Sequence, residues 1–392
     1  MQNKKLPTEH ALVVGGTSGI GLAVVYYLLE NGCSHISVLG LEDHELPKSD
    51  KIEYIHFNFM CDDFSIFDNF NDISALFITA GFGRVAFFKD LSEAEIQKLI
   101  KVNEESIIRI IKHFYNQLLD NKDFYCGVMG SISGLINSPL FSVYGATKAA
   151  VCSFISSVNA ELEYNNSPNR ILNSSPGNIK GSRFEGADNT NVNMLYNFAS
   201  EFTRRAFCRE LLYIPECENI YANVIKRSHD NTQKYGLESI QYKIDNHRLP
   251  DKGKPQIKIG YLSGTFDLFH VGHLNLLKKA KHYCDYLVVG IHKDASHKGK
   301  QTFIPFEERK AIVSSIKYVD EAIMSCPEDV DIYKKGIVKY DFLFVGSDYK
   351  GTERFNNYEK YFEDKNVQII YFPYTQGTSS AEIREAILKL GE

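Results

Sequence analysis

Along the first 180 residues, short apolar runs ending at glycine alternate with stretches whose apolar residues recur every three to four positions. "ALVVGG" (11–16), "HISVLG" (35–40), "IEYIHFNF" (52–59) and "ALFITAG" (75–81) have the length and apolar content of buried strands. "GLAVVYYLLENG" predicts a helix stopped at Asn31-Gly32. "SEAEIQKLIKVNEESIIRIIKHFYNQLL" (92–119) predicts a long amphipathic helix, and "YGATKAAVCSFISSVNAEL" another after the strand-like "FYCGVMGSISG". Strands alternating with helices imply a parallel sheet covered on both faces, which takes its ligand at the carboxyl ends of its strands.

The texture changes at 240–256, where "IQYKIDNHRLPDKGKPQ" is polar, carries two prolines and has little periodicity. It predicts a linker over 241–256 between a first domain at 1–240 and a second at 257–392. Beyond it the alternation restarts: "IKIGYLSG" strand, "HVGHLNLLKKAKHYC" helix, "YLVVGIH" strand, "FEERKAIVSSIK" helix, "DFLFVGSD" and "VQIIYFP" strands, "SAEIREAILKL" helix. The fold class expected is α/β throughout: a doubly wound Rossmann sheet followed by a smaller Rossmann-like domain.

Length and composition agree with this picture. A chain of 392 residues suits two domains, and 44% hydrophobic with 24% charged residues is ordinary for a soluble protein. The net charge of −5 gives no electrostatic footprint for nucleic acid, so no nucleic-acid partner is expected. No apolar run has the ~18 residues of a membrane span, and the basic N-terminus leads into a strand pattern without a signal-peptide core. The eight cysteines (33, 61, 126, 152, 208, 217, 284, 326) are scattered, which reads as reduced thiols in a cytosolic protein.

Candidate chemistry gathers in two places. In the first half, "VVGGTSGIGLA" (13–23) sets Gly15, Gly19 and Gly21 between a strand and a helix, where backbone N–H groups and the helix N-terminus can meet a pyrophosphate. Alone, such a loop is often an ordinary tight turn. "YGATK" places Tyr144 and Lys148 four residues apart on one helix face, so the ammonium is expected to lower the tyrosine pKa toward neutrality. Ser131, thirteen residues before Tyr144, could bond a substrate carbonyl, and Asn103 in "KVNEES" could hold a water that resupplies the proton. Taken singly, the tyrosine would pass for a core residue and the serine for a turn; their joint order and spacing decide.

Together with "TAG" (79–81), "VN" and "PG" (176–177), these residues resemble the short-chain dehydrogenase/reductase family over about residues 8 to 230. The resemblance implies proton donation by Tyr144, a carbonyl oriented by Ser131 and a nicotinamide ribose held by Lys148. It also implies NAD or NADP bound at Gly15, Ser18, Gly19, Ile20, Gly21, Asn58, Ala80, Gly81, Pro176 and Gly177. The sequence departs from the family pattern at Val14 (often threonine) and at Asn58, where an aspartate usually meets the adenine. Gly40 stands where an aspartate would favour NAD and Leu41 where an arginine would favour NADP, with Glu42 and Asp43 weakly opposing a 2′-phosphate. The choice of dinucleotide therefore stays open.

In the second half, "GTFDLFHVGHLNLL" (264–277) sets His270 and His273 three residues apart at a helix start. A structural histidine pair, a metal site and phosphate chemistry all begin this way. A metal site lacks a third ligand at suitable spacing, so none is expected; two imidazoles donating to a phosphate as charge builds is the third possibility. "SGTFDLFHVGH" resembles the signature of glycerol-3-phosphate and phosphocholine cytidylyltransferases of the HxGH type, and "SHKGK", "FEERKAIVSSIKYVDEAI" with Arg309, "FVGSDYKG" and "TQGTSSAEIRE" follow in family order over about 257 to 390. The resemblance implies in-line attack of a phosphate on CTP with Mg²⁺ bridging the triphosphate. His270, His273 and Lys298 would act on the phosphates, and CTP would lie against Gly264, Thr265, Phe266, Lys300, Gly346, Asp348, Thr375, Thr378, Ser379 and Ser380. Tyr374 replaces the arginine that usually begins the last motif and Ala381 replaces a hydroxyl residue, which weakens the preference for CTP. An unreplaced loss of that arginine would cost ~1.5–3 kcal/mol; Arg354 and Arg384 are candidates to replace it.

A reductase joined to a cytidylyltransferase suggests consecutive steps, from ketose phosphate to alditol phosphate to CDP-alditol, as for a capsule, teichoic acid or lipopolysaccharide. The alternative is a CDP-glycerol-type cytidylyltransferase fused to a reductase of unrelated or lost activity. Both families commonly form dimers, so the resemblance implies a homodimer or higher homo-oligomer. No membrane partner is expected.

Overall fold

Strand β1 (His10–Val14) sends alternate residues into different cores: Ala11 and Val13 to one side of the sheet, Leu12 and Val14 to the other. That alternation, in a strand with almost no polar residue, is what burial on both faces requires. It recurs in β4 below, where Ala75 and Phe77 face one core and Leu76 and Ile78 its opposite. Burying a side chain of this size contributes about 1.5–3 kcal/mol.

The computed structural model describes residues 6–43, 45–181, 190–246, 248, 257–294, 302–373 and 383. It divides into two units, Met1–Gly253 and Lys254–Glu392. In the first, β1 is joined by β2 (His35–Gly40), β3 (Ile52–His56), β4 (Ala75–Ile78), β5 (Tyr125–Met129), β6 (Ile171–Ser174) and β7 (Leu212–Tyr213). These form a seven-stranded sheet in the order β3-β2-β1-β4-β5-β6-β7, every pair parallel. The order reverses between β1 and β4, and the carboxyl ends of these two strands are where an open parallel sheet takes its ligand.

The helices of this unit are α1 (Gly19–Glu30), α2 (Glu93–Ile100), α3 (Ser106–His113), α4 (Tyr115–Leu119), α5 (Ser142–Tyr164), α6 (Val192–Phe207), α7 (Ala222–Asp230) and α8 (Thr232–Asp245). The single helix expected over 92–119 is broken. A capping box between Ser92 and Glu95 starts α2, but a π-helical turn at Lys101–Glu105 separates it from α3. The linker expected from 241 is also corrected: α8 runs on to Asp245, its N-terminus capped by the Asn231 side chain.

The second unit holds β8 (Ile259–Gly264), β9 (Tyr286–Ile291), β10 (Glu321–Met324), β11 (Phe342–Gly346) and β12 (Gln368–Phe372) in the parallel order β10-β9-β8-β11-β12. Its described helices are α9 (Val271–Tyr283), α10 (Phe306–Ser314), α11 (Asp329–Lys334) and α12 (Glu353–Phe362). Both faces are again covered: Leu262, Val289 and Phe344 face one core, Tyr261, Val288 and Val345 the other. Here the reversal lies between β8 and β11. Of the helix expected at "SAEIREAILKL", Ile383 alone lies within the described residues. No helix among the described residues is long and apolar enough to cross a membrane.

Candidate active sites

At the end of β1 the chain turns through Gly15, whose φ of +84° suits glycine, and enters α1. A side chain at Gly15 would fall 2.5 Å from the Ala80 nitrogen, and one at Gly21 would fall 2.1 Å from the Gly15 carbonyl oxygen. The glycines thus let β1, α1 and the Thr79-Ala80-Gly81 turn after β4 pack backbone to backbone. Ser18 is the N-cap of α1, and Ile20 packs under it against the core. The Gly19 N–H donates to the Thr190 hydroxyl at 2.7 Å, and that hydroxyl in turn donates to Glu45 Oε2 at 2.7 Å. So the N-terminus of α1 already engages an oxygen acceptor, as its exposed N–H groups favour. Asn58 accepts from the Met60 N–H through its side-chain oxygen, and the Pro176 carbonyl accepts from Ile132 N beside Gly177.

Ser131, at the end of β5, and Tyr144 and Lys148, on the inner face of α5, come together with the Ser131 and Tyr144 side chains hydrogen-bonded. Lys148 is 2% exposed; its ammonium donates to the Met129 carbonyl at 2.8 Å and lies 5.9 Å from the Tyr144 ring centroid. The expected lowering of the tyrosine is not found. Burial pushes Tyr144 up to about 12, against the pull of the Ser131 hydrogen bond. Burial also brings Lys148 down to about 8. The Asn103 side chain is held by backbone: its amide oxygen accepts from Phe82 N at 3.0 Å and its NH₂ donates to Phe82 O at 2.8 Å. The π-helical turn aims this fully buried amide at the strand-following loop, where it acts as a two-point backbone clamp.

The second site grows from the end of β8. Phe266 and Leu268 both take left-handed backbone conformations, φ +52° and +50°, which cost residues with a Cβ about 1–3 kcal/mol each. The tight path delivers His270 as N-cap of α9. His270 Nδ1 accepts from Gly272 N at 3.1 Å, and His273 Nδ1 accepts from His270 N at 3.4 Å. With Nδ1 accepting on each ring, the proton of each neutral imidazole sits on Nε2. The rings lie 4.0 Å apart, and burial with the neighbouring His270 brings His273 down to about 4, partly opposed by Asp267. Among the described residues, the buried Thr265 hydroxyl on this loop has no partner. Gly346 and Asp348 stand at the end of β11, across the sheet reversal from Gly264.

Both arrangements have counterparts among known proteins. Residues 9–192 match the family model for short chain dehydrogenase, and residues 261–386 match Cytidylyltransferase-like. A glycerol-3-phosphate cytidylyltransferase of Bacillus subtilis (strain 168) is 38% identical over 132 residues, 32% of this chain and 95% of that protein. The chain belongs to the cytidylyltransferase family. A FAD synthase of Thermococcus kodakarensis (strain ATCC BAA-918 / JCM 12380 / KOD1) is also 30% identical over 139 residues, 33% of this chain and 90% of its own length. A solved short chain dehydrogenase from Burkholderia cenocepacia J2315, in complex with NADP, is 16% identical, with TM-score 0.45 over 58% of this chain and 98% of that one.

In the cytidylyltransferase unit, Lys298, Lys300, Tyr374, Thr375, Thr378, Ser379, Ser380, Ala381 and Arg384 lie outside the described residues. Arg354 is paired with Glu328 at 2.8 Å and bonded to the Tyr358 hydroxyl at 3.1 Å. Two holding residues carried no role in the sequence reading. Arg309, fully buried, donates to the carbonyls of Ile304, Thr265, His292 and Lys293, tying the β8 loop to the end of β9. Asp267 accepts from Phe303 N and Ile304 N at 3.0 Å each. In the first unit, Glu45 and Thr190 were missed as well. Their contact joins positions 145 apart, which no local spacing encodes.

Proposed function

We propose that this chain reduces a phosphorylated ketose to an alditol phosphate with NADH or NADPH, then transfers CMP from CTP to that phosphate, giving a CDP-alditol. What carries the reading is one chain holding a Ser131–Tyr144–Lys148 cluster at the end of one parallel sheet and a His270–His273 pair at the end of another. The glycerol-3-phosphate cytidylyltransferases among the relatives point to a polyol phosphate as acceptor, and a reductase is the enzyme that makes a polyol from a carbonyl compound.

The loop at Gly15–Gly21 and the Lys148 ammonium suit a nicotinamide dinucleotide, which when bound supplies the hydride. Tyr144, protonated at neutral pH, gives its proton to the carbonyl oxygen as the carbon is reduced, and Ser131 orients that oxygen. Lys148 holds the ribose and places positive charge beside the phenolate that remains. Acidic charge from Asp43 and Glu42, which follow β2, reaches Tyr54 in β3 and weighs against a 2′-phosphate. A side chain at Gly40 would fall 2.4 Å from Thr17 Oγ1, so the usual acid cannot occupy that position. In the second reaction a phosphate oxygen of the alditol phosphate attacks the α-phosphorus of CTP and pyrophosphate leaves. His270 and His273 donate from Nε2 to the α-phosphate oxygens as charge builds on them. Lys298 and Lys300 would neutralise the phosphates, and Mg²⁺ enters with CTP as part of the substrate.

The test is a coupled assay of the full chain with ketose phosphates of three to seven carbons. Cofactor oxidation is followed first, then pyrophosphate after CTP and Mg²⁺ are added. Tyr144→Phe is expected to abolish the first signal and spare transfer to preformed alditol phosphate; His270→Ala should do the reverse. Transfer to alditol phosphates with no ketose phosphate ever reduced would overturn the coupling.

A further inference from the structure

The segment leading into Tyr144 is covered by the α7–α8 hairpin, for which the chemistry above has no use. Asn137 N donates to Ser228 Oγ at 2.9 Å, Asn137 Nδ2 donates to the Thr232 carbonyl at 3.2 Å, and the His229 ring reaches the Leu135 carbonyl at 3.3 Å. From α8 the Lys243 side chain runs inward and is 7% exposed. Its ammonium donates to the Pro139 carbonyl and lies 5.2 Å from the Phe141 ring, itself 5.3 Å from the Tyr144 ring. Arg248 adds a second cation: its backbone N–H bonds the Lys243 carbonyl at 2.9 Å, and its charge reaches both Lys243 and Tyr221. The Tyr221 hydroxyl lies over Gly177, where a Cβ would meet it at 1.6 Å.

No carboxylate among the described residues pairs with Lys243 or Arg248. Two acids of the hairpin are engaged elsewhere, Glu238 with Arg227 and Asp245 with the Gln241 amide; the third, Asp230 at the end of α7, pairs with neither cation. Glu216 acts on Tyr221. A buried ammonium with one carbonyl acceptor and no counter-ion is costly, and burial draws it down to about 8. An oxyanion with several acceptor atoms would satisfy it. These cations neighbour the approach to Tyr144 on one side and the Pro176-Gly177 turn, through Tyr221, on the other.

We propose that Lys243, backed by Arg248, binds the phosphate of the carbonyl substrate reduced at Tyr144, and so selects phosphorylated over unphosphorylated ketoses. This rests on the proposed reduction and names the group that recognises its substrate. Lys243→Met keeps the aliphatic stem and removes the charge. In the full chain it is expected to raise KM for the ketose phosphate about ten- to a hundredfold, more than it lowers kcat, with Lys243→Arg restoring most of the loss. The preference over the unphosphorylated ketose should shrink by the same factor. An unchanged KM in a variant that melts like the wild type overturns the subsite and leaves the reduction standing.

A second measurement does not depend on turnover. Inorganic phosphate is titrated by calorimetry into the CTP-saturated full chain and into its Lys243→Met and Lys243→Arg variants. Binding lost in Met and kept in Arg supports the subsite even if no ketose phosphate is reduced, an outcome that would sink the proposed reduction alone. Phosphate binding equal in all three chains overturns the subsite.

Discussion

His273 shows how one ring can be fixed in both tautomer and charge. Its Nδ1 accepts from the backbone at the start of α9, and burial holds its pKa at about 4, well under the 6.5 of an ordinary histidine. Between those two values the unfolded chain binds a proton that the native ring refuses. Acidification from pH 6.5 to 4 should therefore remove up to about 3 kcal/mol of stability from the cytidylyltransferase unit, with no further loss from this ring below 4. Urea titrations at several pH values measure this, and the slope should flatten in His273→Gln. Lys148 titrates at about 8 while Tyr144 stays protonated to about 12. Reduction should accordingly weaken as pH rises through 8 and the ammonium is lost. Initial rates against pH check it, and an alkaline limb that stays at 8 in Lys148→Arg would assign it to another group. At this scale the sequence was most informative about identity and least about environment. The spacing of Tyr144 and Lys148 located the pair, yet the direction of the tyrosine shift depends on burial, which spacing does not encode.

Among the elements, the break between α2 and α3 is the instructive case. The apolar spacing of "EIQKLIKVNEESIIRII" runs without interruption, because a π-helical turn inserts one residue without changing which residue types face the core. What it alters is the aim of Asn103, toward the backbone of Phe82. Asn103→Leu would leave the half-buried Phe82 N–H and carbonyl without this partner, at a cost of about 1–2 kcal/mol, and should lower the melting temperature along with the reduction rate. Arg309 plays the same part for the β8 loop through four carbonyls. Arg309→Met is expected to cost about 3 kcal/mol or more and to raise KM for CTP, because it frees the loop bearing Thr265; thermal melts and CTP titrations report both. The central strands were legible from their unbroken apolar runs. Strands β6 and β10 were not, since "ILNS" and "EAIM" are short and mixed and gain their place only by pairing with β5 and β9. The α7–α8 hairpin was hidden by its polar composition.

At the scale of the whole chain, each candidate site is built at the reversal of its own parallel sheet, from residues far apart in sequence that strand order brings together. A piece from Lys254 to Glu392 is accordingly expected to keep cytidylyl transfer with a KM for CTP within about threefold of the full chain; pyrophosphate release measures it. The longest-range contact at the first site carries a different lesson. Thr190 and Glu45 bond to each other, and Thr190 reaches across 171 positions to the Gly19 N–H at the start of α1. Whatever oxygen ligand takes that N–H must first dislodge this internal stand-in. Binding there becomes an exchange of one acceptor for another, against the negative charge of Glu45, rather than the filling of a gap. Such a loop trades tightness of grip for ease of release, so a spent ligand leaves to a backbone already re-engaged, a property that belongs to turnover more than to affinity.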